Sequence, residues 1–266
     1  MFEYSIILVM LITGIGALYD LFNKKEVPDN ILFILIFISF LYSIFFTDFY
    51  FGILQALLIL SIGYIAYKRG LLGFADVIFF SCIALIIPYK NIAYIKLPFV
   101  LPVFVYSGLF FAVASIIYYG FRMAKNGITK INIAGIFPLL AFLIFLFFYK
   151  DFMFFSTFFI FLIFFAVLIS SFYIAFEHDL KRATSSEEKI SEQLIEDIIA
   201  YDLLNEKQKA VIGNKRVVDE ELLQKLKENN IKTLPVYKHL LPFLPFLLIG
   251  SIFAYLYGFD FLFGFY

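Results

Sequence analysis

Cysteine, histidine and charged side chains are all scarce in this chain of 266 residues. The single cysteine, Cys82, cannot form an internal disulfide and cannot supply the four ligands of a zinc ribbon. The two histidines, His178 and His239, lie at the edges of one charged segment, which leaves no good catalytic triad. The sequence therefore predicts neither a bound metal nor an organic cofactor.

Only 16% of the residues are charged, whereas 63% are hydrophobic and 21% are aromatic. A soluble domain is roughly 45–50% apolar and about 25% charged. So little polar surface cannot cover a globule, which excludes a water-soluble monomer and a disordered chain. The 21 basic and 21 acidic residues cancel, so net charge gives no sign of a nucleic-acid partner, and none is predicted.

The chain contains eight apolar runs that are candidates for membrane helices, each of which needs roughly 20 mostly apolar residues. The first run follows Met-Phe-Glu, which lacks the basic start of a signal peptide, so it is predicted to be a true span. Merging the two weakest neighbours would give seven spans. The predicted spans are 4–22, 27–46, 50–67, 71–88, 98–120, 133–149, 152–176 and 239–257.

Lysine and arginine are unequally shared between the loops on the two sides, and their excess marks the cytoplasmic side. With the N-terminus outside, the inner loops carry Lys24, Lys25, Lys68, Arg69, Arg122, Lys125 and Lys130, and the outer loops carry Lys90, Lys96 and Lys150. The charged segment 177–238 then also falls inside. The sequence therefore predicts an all-α, multi-pass protein of the cell membrane with about eight spans and an outer N-terminus.

Three parts follow from this division: a membrane domain over 1–176, a charged cytosolic module over 177–238, and a last membrane helix with a tail over 239–266. The module is expected to be helical and to have a positioning or regulatory role. Helical spacing predicts a helix over 186–205. After a turn at Gly213–Asn214, Asp219 is predicted to cap a second helix.

Asp20 and Asp76 stand where a carboxylate is costly, since an ionised group at the centre of a span costs at least about 2.5–3.5 kcal/mol. Asp20 closes the first span, and Asp76 lies about five residues into the fourth, roughly 8 Å at 1.5 Å per residue. Because these spans run in opposite directions, both carboxylates are expected at similar depth near the cytoplasmic face. An interfacial acid that reaches the lipid headgroups is the alternative for each.

Two neighbouring carboxylates cannot both ionise cheaply, so they share a proton and provide an acid and a base together. That pair can activate water against a peptide carbonyl and protonate the leaving nitrogen. Gly73 lets a backbone approach Asp76 closely, or it is an ordinary helix start. Pro28 follows a charged turn that contains Lys24, and its position suits the start of the second span.

Three segments together resemble the prepilin peptidases, the GxGD-type intramembrane aspartic proteases that include archaeal preflagellin and prepilin peptidases. These are Tyr19-Asp20, the following charged loop with Val27-Pro28, and Gly73-Phe74-Ala75-Asp76. The resemblance implies that Asp20 and Asp76 are the catalytic residues, with Lys24, Pro28, Gly73 and Ala75 as supporting positions. Ala75 departs from the motif, which has a second glycine there.

The C-terminal part also looks like the extension of some archaeal members of this family. A charged segment is followed by Leu241–Gly250, which opens the last span. The Pro-Phe-x-Pro-Phe run within it either packs near the site or forms an aromatic belt at a kinked helix start. The cysteine-rich zinc loop of bacterial members is absent from this sequence.

The resemblance implies a peptidase that removes the short basic leader of class III signal peptides from pilin-like or archaellin-like precursors. Cleavage would take place in the lipid bilayer, near its cytoplasmic face. The main alternative is a proton- or cation-coupled transporter that uses Asp20 and Asp76 as carrier sites. A presenilin-like protease, whose Pro-Ala-Leu triplet the sequence lacks, and a non-catalytic assembly factor are the others.

Overall fold

The computed structural model describes residues 2–22, 27–69, 72–92, 95–127, 131–149, 157–195, 197–238 and 240–259. Among these residues, seven α-helices and one pair of antiparallel strands precede the charged module. In chain order they are Phe2–Phe22 (α1), Asp29–Phe46 (α2), Phe49–Lys68 (α3), Phe74–Ile86 (α4), Lys90–Ile92 (β1), Ile95–Leu97 (β2), Val100–Asn126 (α5), Ile136–Tyr149 (α6) and Thr157–Ala175 (α7).

The module and the last apolar segment complete the fold. The module contains Glu177–Thr184 (α8), Ser185–Lys189 (β3), Glu206–Ile212 (α9), Glu220–Glu228 (α10) and Thr233–Tyr237 (β4). Strands β3 and β4 pair in antiparallel register. The last helix, Leu244–Tyr257 (α11), follows the module directly.

Among the described residues, four helices are long and apolar enough to cross a membrane: α1, α2, α3 and α5. A bent pair of helices, α7 and α8, adds a fifth if the two are counted as one span, with a bend of 79° between them. Helices α4, α6 and α11 are apolar but shorter. The chain is thus mostly helical, as predicted, with four or five candidate spans, and each of the eight predicted apolar runs contains a helix.

Close contacts fix the relative directions of the helices around α4. A Cβ atom at Gly52 would lie 3.3 Å from the carbonyl oxygen of Ala84, and one at Gly63 would lie 2.3 Å from a methyl group of Val77. As the chain advances along α3 it therefore moves backwards along α4, so the two helices are antiparallel. Every residue of α4 from Val77 to Ile86 is buried, which makes α4 the centre of the bundle.

Helix α11 packs along α5 in the same antiparallel way. A Cβ atom at Gly250 would lie 2.0 Å from the hydroxyl of Ser107, and the N–H of Leu241 donates to the Tyr119 hydroxyl at 3.1 Å. Because neither glycine nor serine has a bulky side chain, the two backbones approach closely here. Helix α11 thus begins beside the late part of α5, at the end of the bundle that carries the module.

The module differs from the predicted helical insert. The helix predicted over 186–205 is wrong, because this segment contains β3, two short 3₁₀ turns and two isolated bridges. Ile198 bridges to Val217, and Ile199 bridges to Val236. The apolar residues of this segment have helical spacing, but part of the segment pairs with strand β4, which contains β-branched residues. Tertiary pairing therefore overrides the local pattern. The two strand pairs also make the all-α prediction too simple.

The second half of the module follows the prediction. The Asp219 carboxylate accepts the N–H of Leu222 at 2.8 Å and caps α10. The turn predicted at Gly213–Asn214 is present, with a positive φ of 61° at Gly213 that glycine adopts without strain. Leu222, Leu223 and Leu226 lie on the buried face of α10.

Candidate functional site

Asp20 lies in the last turn of α1, where its side chain is only 8% exposed. Its Oδ2 atom accepts the backbone N–H of Leu244 at 3.0 Å. Leu244 is the first residue of α11, so the carboxylate lies at the positive end of that helix. Both the hydrogen bond and the helix dipole stabilise a negative charge on Asp20.

Asp76 is the third residue of α4 and is half-buried. Its Oδ2 atom accepts the backbone N–H of Gly73 at 3.3 Å, so the side chain caps its own helix. Gly73 has φ of −71°, which any residue adopts, so its conformation does not require glycine. A Cβ atom at Gly73 would instead lie 3.0 Å from Asp76 Oδ2. Glycine therefore keeps this carboxylate uncrowded.

A contact between α1 and α4 brings the two carboxylates together. A Cβ atom at Gly16 would lie 2.4 Å from the ring of Phe79, so the helices touch at this point. Asp20 lies four residues after Gly16, and Asp76 lies three residues before Phe79, so each is about one turn from the contact. The start of α1 meets the end of α2, where Ser5 and Tyr42 share a hydrogen bond at 2.9 Å.

The end of α2 in turn meets the end of α4, where the Thr47 hydroxyl donates to the carbonyl of Leu85 at 3.3 Å. Asp20, near the other end of α1, therefore lies at the same end of the bundle as Asp76, near the start of α4.

The supporting positions are placed differently from one another. Ala75 is half-buried and packs against the core of the bundle. Pro28 is exposed and precedes α2, where its carbonyl accepts the N–H groups of Ile31 at 2.9 Å and Leu32 at 3.2 Å. Lys24 lies outside the described residues. Within the described part of the chain, Pro28 thus has a structural role as a helix start.

The Pro-Phe-x-Pro-Phe run packs beside Asp20, which resolves the alternative left open by the sequence. The ring of Phe243 lies 6.0 Å from that of Phe80 in α4 and 5.4 Å from that of Phe111 in α5, measured between centroids. The next residue, Leu244, gives its N–H to Asp20. The two prolines that flank this pair are the sequence signal, since they shape the helix start that meets the carboxylate.

Charge is divided between the two ends of the bundle. Lys90 lies at the end opposite the carboxylates, where its Nζ atom donates to the carbonyl of Tyr255 near the end of α11. Lys96 pairs with Asp48 at 3.4 Å beside the same pair of strands. The charged module lies at the end of the bundle that contains Asp20. Its first helix, α8, packs there against the last part of α5. The carboxylate pair therefore lies at the more highly charged end.

No group of three or more metal-ligating side chains occurs among the residues that the structure describes. One cleft in that part of the chain lies in the module beside His178 and Arg182, and another lies along the outer face of α5. Neither is lined by Asp20 or Asp76. The two carboxylates lie instead about one turn from the tight contact between Gly16 and Phe79.

No family model matches the chain, and neither a curated protein nor a solved structure is significantly similar to it. Function is therefore inferred from the placement of Asp20 and Asp76 and from the sequence around them.

Proposed function

We propose that this protein is a membrane-embedded aspartic endopeptidase that cleaves the basic leader from pilin-like or archaellin-like precursors. One observation carries the proposal: α1 and α4 bring Asp20 and Asp76, which lie 56 residues apart in the sequence, to one end of the bundle, each about one turn from the contact between Gly16 and Phe79. Carboxylates inside a membrane are rare because burying their charge in the bilayer costs free energy. A neighbouring pair of carboxylates is the catalytic group of aspartic proteases.

The surroundings of the two carboxylates differ, and this difference supports separate roles for them. Asp20 accepts the Leu244 N–H at the positive end of α11, which offsets the cost of its burial, so it keeps its charge and acts as the base that takes a proton from water. The water oxygen adds to the peptide carbonyl carbon. Asp76 carries the shared proton and gives it to the nitrogen as the carbon–nitrogen bond breaks. The proton that Asp20 has taken from water is then shared between the two carboxylates, which restores the starting state of the pair.

The site must open slightly to admit a substrate strand. Asp20 lies in the last turn of its helix and Asp76 in the first turn of its own. Helix ends unfold locally at lower free-energy cost than helix centres, so a strand can be admitted without separating α1 from α4 along their length. Gly73, which has no side chain, precedes Asp76 at the point where such a strand would pass.

The proposal includes an eight-span topology with the N-terminus outside. The antiparallel directions of α3 against α4 and of α5 against α11 support it. The position of the charged module at the same end as the carboxylates supports it as well, because Lys and Arg concentrate on the cytoplasmic side. The basic leader would stay in the cytosol while the precursor's apolar helix lies in the bilayer.

The test is a cleavage assay in membranes with a precursor that carries a basic leader. Asp20→Asn and Asp76→Asn keep the shape of each side chain but remove its charge and its proton. Each is expected to lower the cleavage rate by about 100- to 10,000-fold, the usual range for loss of general acid–base catalysis. Asp29→Asn, the same change at an exposed residue that begins α2, is the control and is expected to cleave normally.

Cleavage at the wild-type rate by either site variant would contradict the proposal. In that case a carrier role of the same carboxylates in proton- or cation-coupled transport would be the better explanation.

A further inference from the structure

The start of α11 is held by two backbone N–H groups that donate to side chains of other helices. The N–H of Leu241 donates to the hydroxyl of Tyr119 in α5 at 3.1 Å, and the N–H of Leu244 donates to Asp20 in α1 at 3.0 Å. The two donors lie three residues apart, whereas their acceptors belong to helices that are far apart in sequence. One short segment thus joins α1 to α5.

In the first turn of α11, the N–H of Leu244 is the one that donates to an acceptor outside the helix. Pro245 has no N–H, and the N–H groups of Phe246 and Leu247 both donate to the carbonyl of Phe243. The direction of the Leu244 N–H therefore depends on where the chain enters the helix. That entry is fixed on its upstream side by the bond between Leu241 and Tyr119.

We propose that Tyr119 is a positioning residue for Asp20. This inference rests on the proposed peptidase function. By holding Leu241, Tyr119 directs the Leu244 N–H at Oδ2 of Asp20 and so fixes the orientation of the carboxylate toward water and Asp76. Tyr119 is only 4% exposed, and Leu244 is 2% exposed, so water does not replace these hydrogen bonds readily.

The same tyrosine also contacts the module. Tyr119 belongs to a small apolar cluster with Met123, Leu180 and Ala183, the last two from α8 at the start of the module. Leu241 lies four residues after β4, just beyond the end of the module. Tyr119 therefore touches the chain both where it enters the module and where it leaves it. A displacement of the module would be transmitted to Asp20 through this residue.

Tyr119→Phe tests the proposal because it keeps the ring and removes the hydroxyl that accepts the Leu241 N–H. We expect kcat per folded molecule to fall about five- to ten-fold while KM stays within about two-fold, since the loss of one net hydrogen bond in the transition state has that size. Tyr118→Phe is the matched control, because Tyr118 is the preceding residue of α5 and is 41% exposed. It is expected to leave both constants unchanged.

Backbone hydrogen exchange of the segment 240–247 gives a second measurement that needs no substrate. Tyr119→Phe is expected to raise exchange at Leu244 at least about ten-fold, and Tyr118→Phe to leave it unchanged. If Tyr119→Phe folds poorly, Leu241→Pro removes the donor of the same bond and is expected to have the same two effects.

Unchanged kcat together with unchanged exchange in Tyr119→Phe would overturn the positioning role. If the wild-type protein cleaves no precursor, the proposed peptidase function fails. The exchange measurement then still tests whether Tyr119 positions Leu244. Protection of the Leu244 N–H that depends on Tyr119 supports the positioning role, and protection that does not depend on Tyr119 refutes it.

Discussion

The acidic side chains of the apolar bundle and those of the charged module are stabilised in different ways. In the module, Asp219 and Glu221 both pair with Lys215, at 2.7 and 3.0 Å, and their side chains are more than half exposed. In the bundle, Asp20 and Asp76 accept backbone N–H groups at buried or half-buried positions. Asp219 also accepts a backbone N–H, from Leu222, so the two regions differ mainly in how far their carboxylates are exposed to water.

The two regions also differ in how their elements are held together. The bundle depends on close helix contacts at Gly16, Gly63 and Gly250, where there is no room for an additional atom. The module depends on helix caps and exposed ion pairs around a small core. Substitutions in the bundle should therefore have large effects on stability, and polar substitutions in the module should have small ones.

Gly250→Ala is expected to have the largest effect on stability. The added Cβ would lie 2.6 Å from the backbone nitrogen and 2.8 Å from the Cα of Ser107, and backbone atoms cannot move aside as a side chain can. We expect the free energy of unfolding to fall by about 3 kcal/mol, measured by thermal denaturation in detergent. Gly108→Ala on α5 meets nothing within 4 Å and is the control. Equal stability of the two variants would show that α5 and α11 are not closely packed.

Gly16→Ala is expected to lower stability by about 1–2 kcal/mol and the cleavage rate about ten-fold. The added Cβ collides with the ring of Phe79, which has to shift and move α1 away from α4. Phe79→Leu in the same chain should restore part of the activity by making room. Gly14→Ala, in the same helix with nothing within 4 Å, should behave as wild type. Full activity of Gly16→Ala would mean that this contact does not hold the carboxylates together.

Asp219→Ala tests the module. It removes the cap that accepts the Leu222 N–H, and loss of such a cap costs about 1 kcal/mol. We expect hydrogen exchange in α10 to rise, whereas exchange in α4 stays unchanged. Asp219→Asn keeps a capping oxygen and should retain most of the protection. An equal rise of exchange in α4 would show that the module and the bundle unfold as one unit.

The ion pair between Lys181 and Asp202 is expected to have the smallest effect. The hydrogen bond from Lys181 lowers the pKa of Asp202. The pair therefore stabilises the fold at pH values above the ordinary pKa of aspartate. This stabilisation is lost as the pH falls through the lowered pKa of Asp202. The Asp202 side chain is 55% exposed and that of Lys181 is 29% exposed, so Lys181→Met, which also removes the pair with Glu177, should cost about 0.5 kcal/mol or less at pH 7. The difference from wild type should shrink below about pH 4. Lys207→Met, at an exposed position of α9, is the control.

The positions of the bundle helices could be predicted from sequence because each coincides with an apolar run, although α4 and α11 are shorter than the predicted spans. The third span was expected over 50–67, and α3 covers Phe49–Lys68. In such runs hydrophobicity and length decide the helix, and no competing partner exists in lipid. The fifth helix runs to Asn126 rather than to residue 120, because polar residues at the end of a span can continue a helix beyond it.

The module could not be predicted as well, since its short amphipathic segments have several possible partners. Ile198 and Ile199 fit a helix by spacing, but they form isolated bridges to Val217 and Val236, which come later in the chain. The link from Tyr119 to Leu241 was missed for a similar reason, because it joins residues 122 positions apart and leaves no local pattern. Asp20 and Asp76 stand out in the sequence because acidic residues are rare in apolar runs, and their role as a catalytic pair stays a prediction.

The central claim is that Asp20 and Asp76 act as one unit, and a double-mutant cycle tests it most directly. Cleavage of one precursor is measured for Asp20→Asn, Asp76→Asn and the double variant, each normalised to folded protein. If the carboxylates share one proton and one water, the double variant loses little more than either single variant, because residues that act together are not additive. A double variant whose loss equals the product of the two single losses would contradict a shared site.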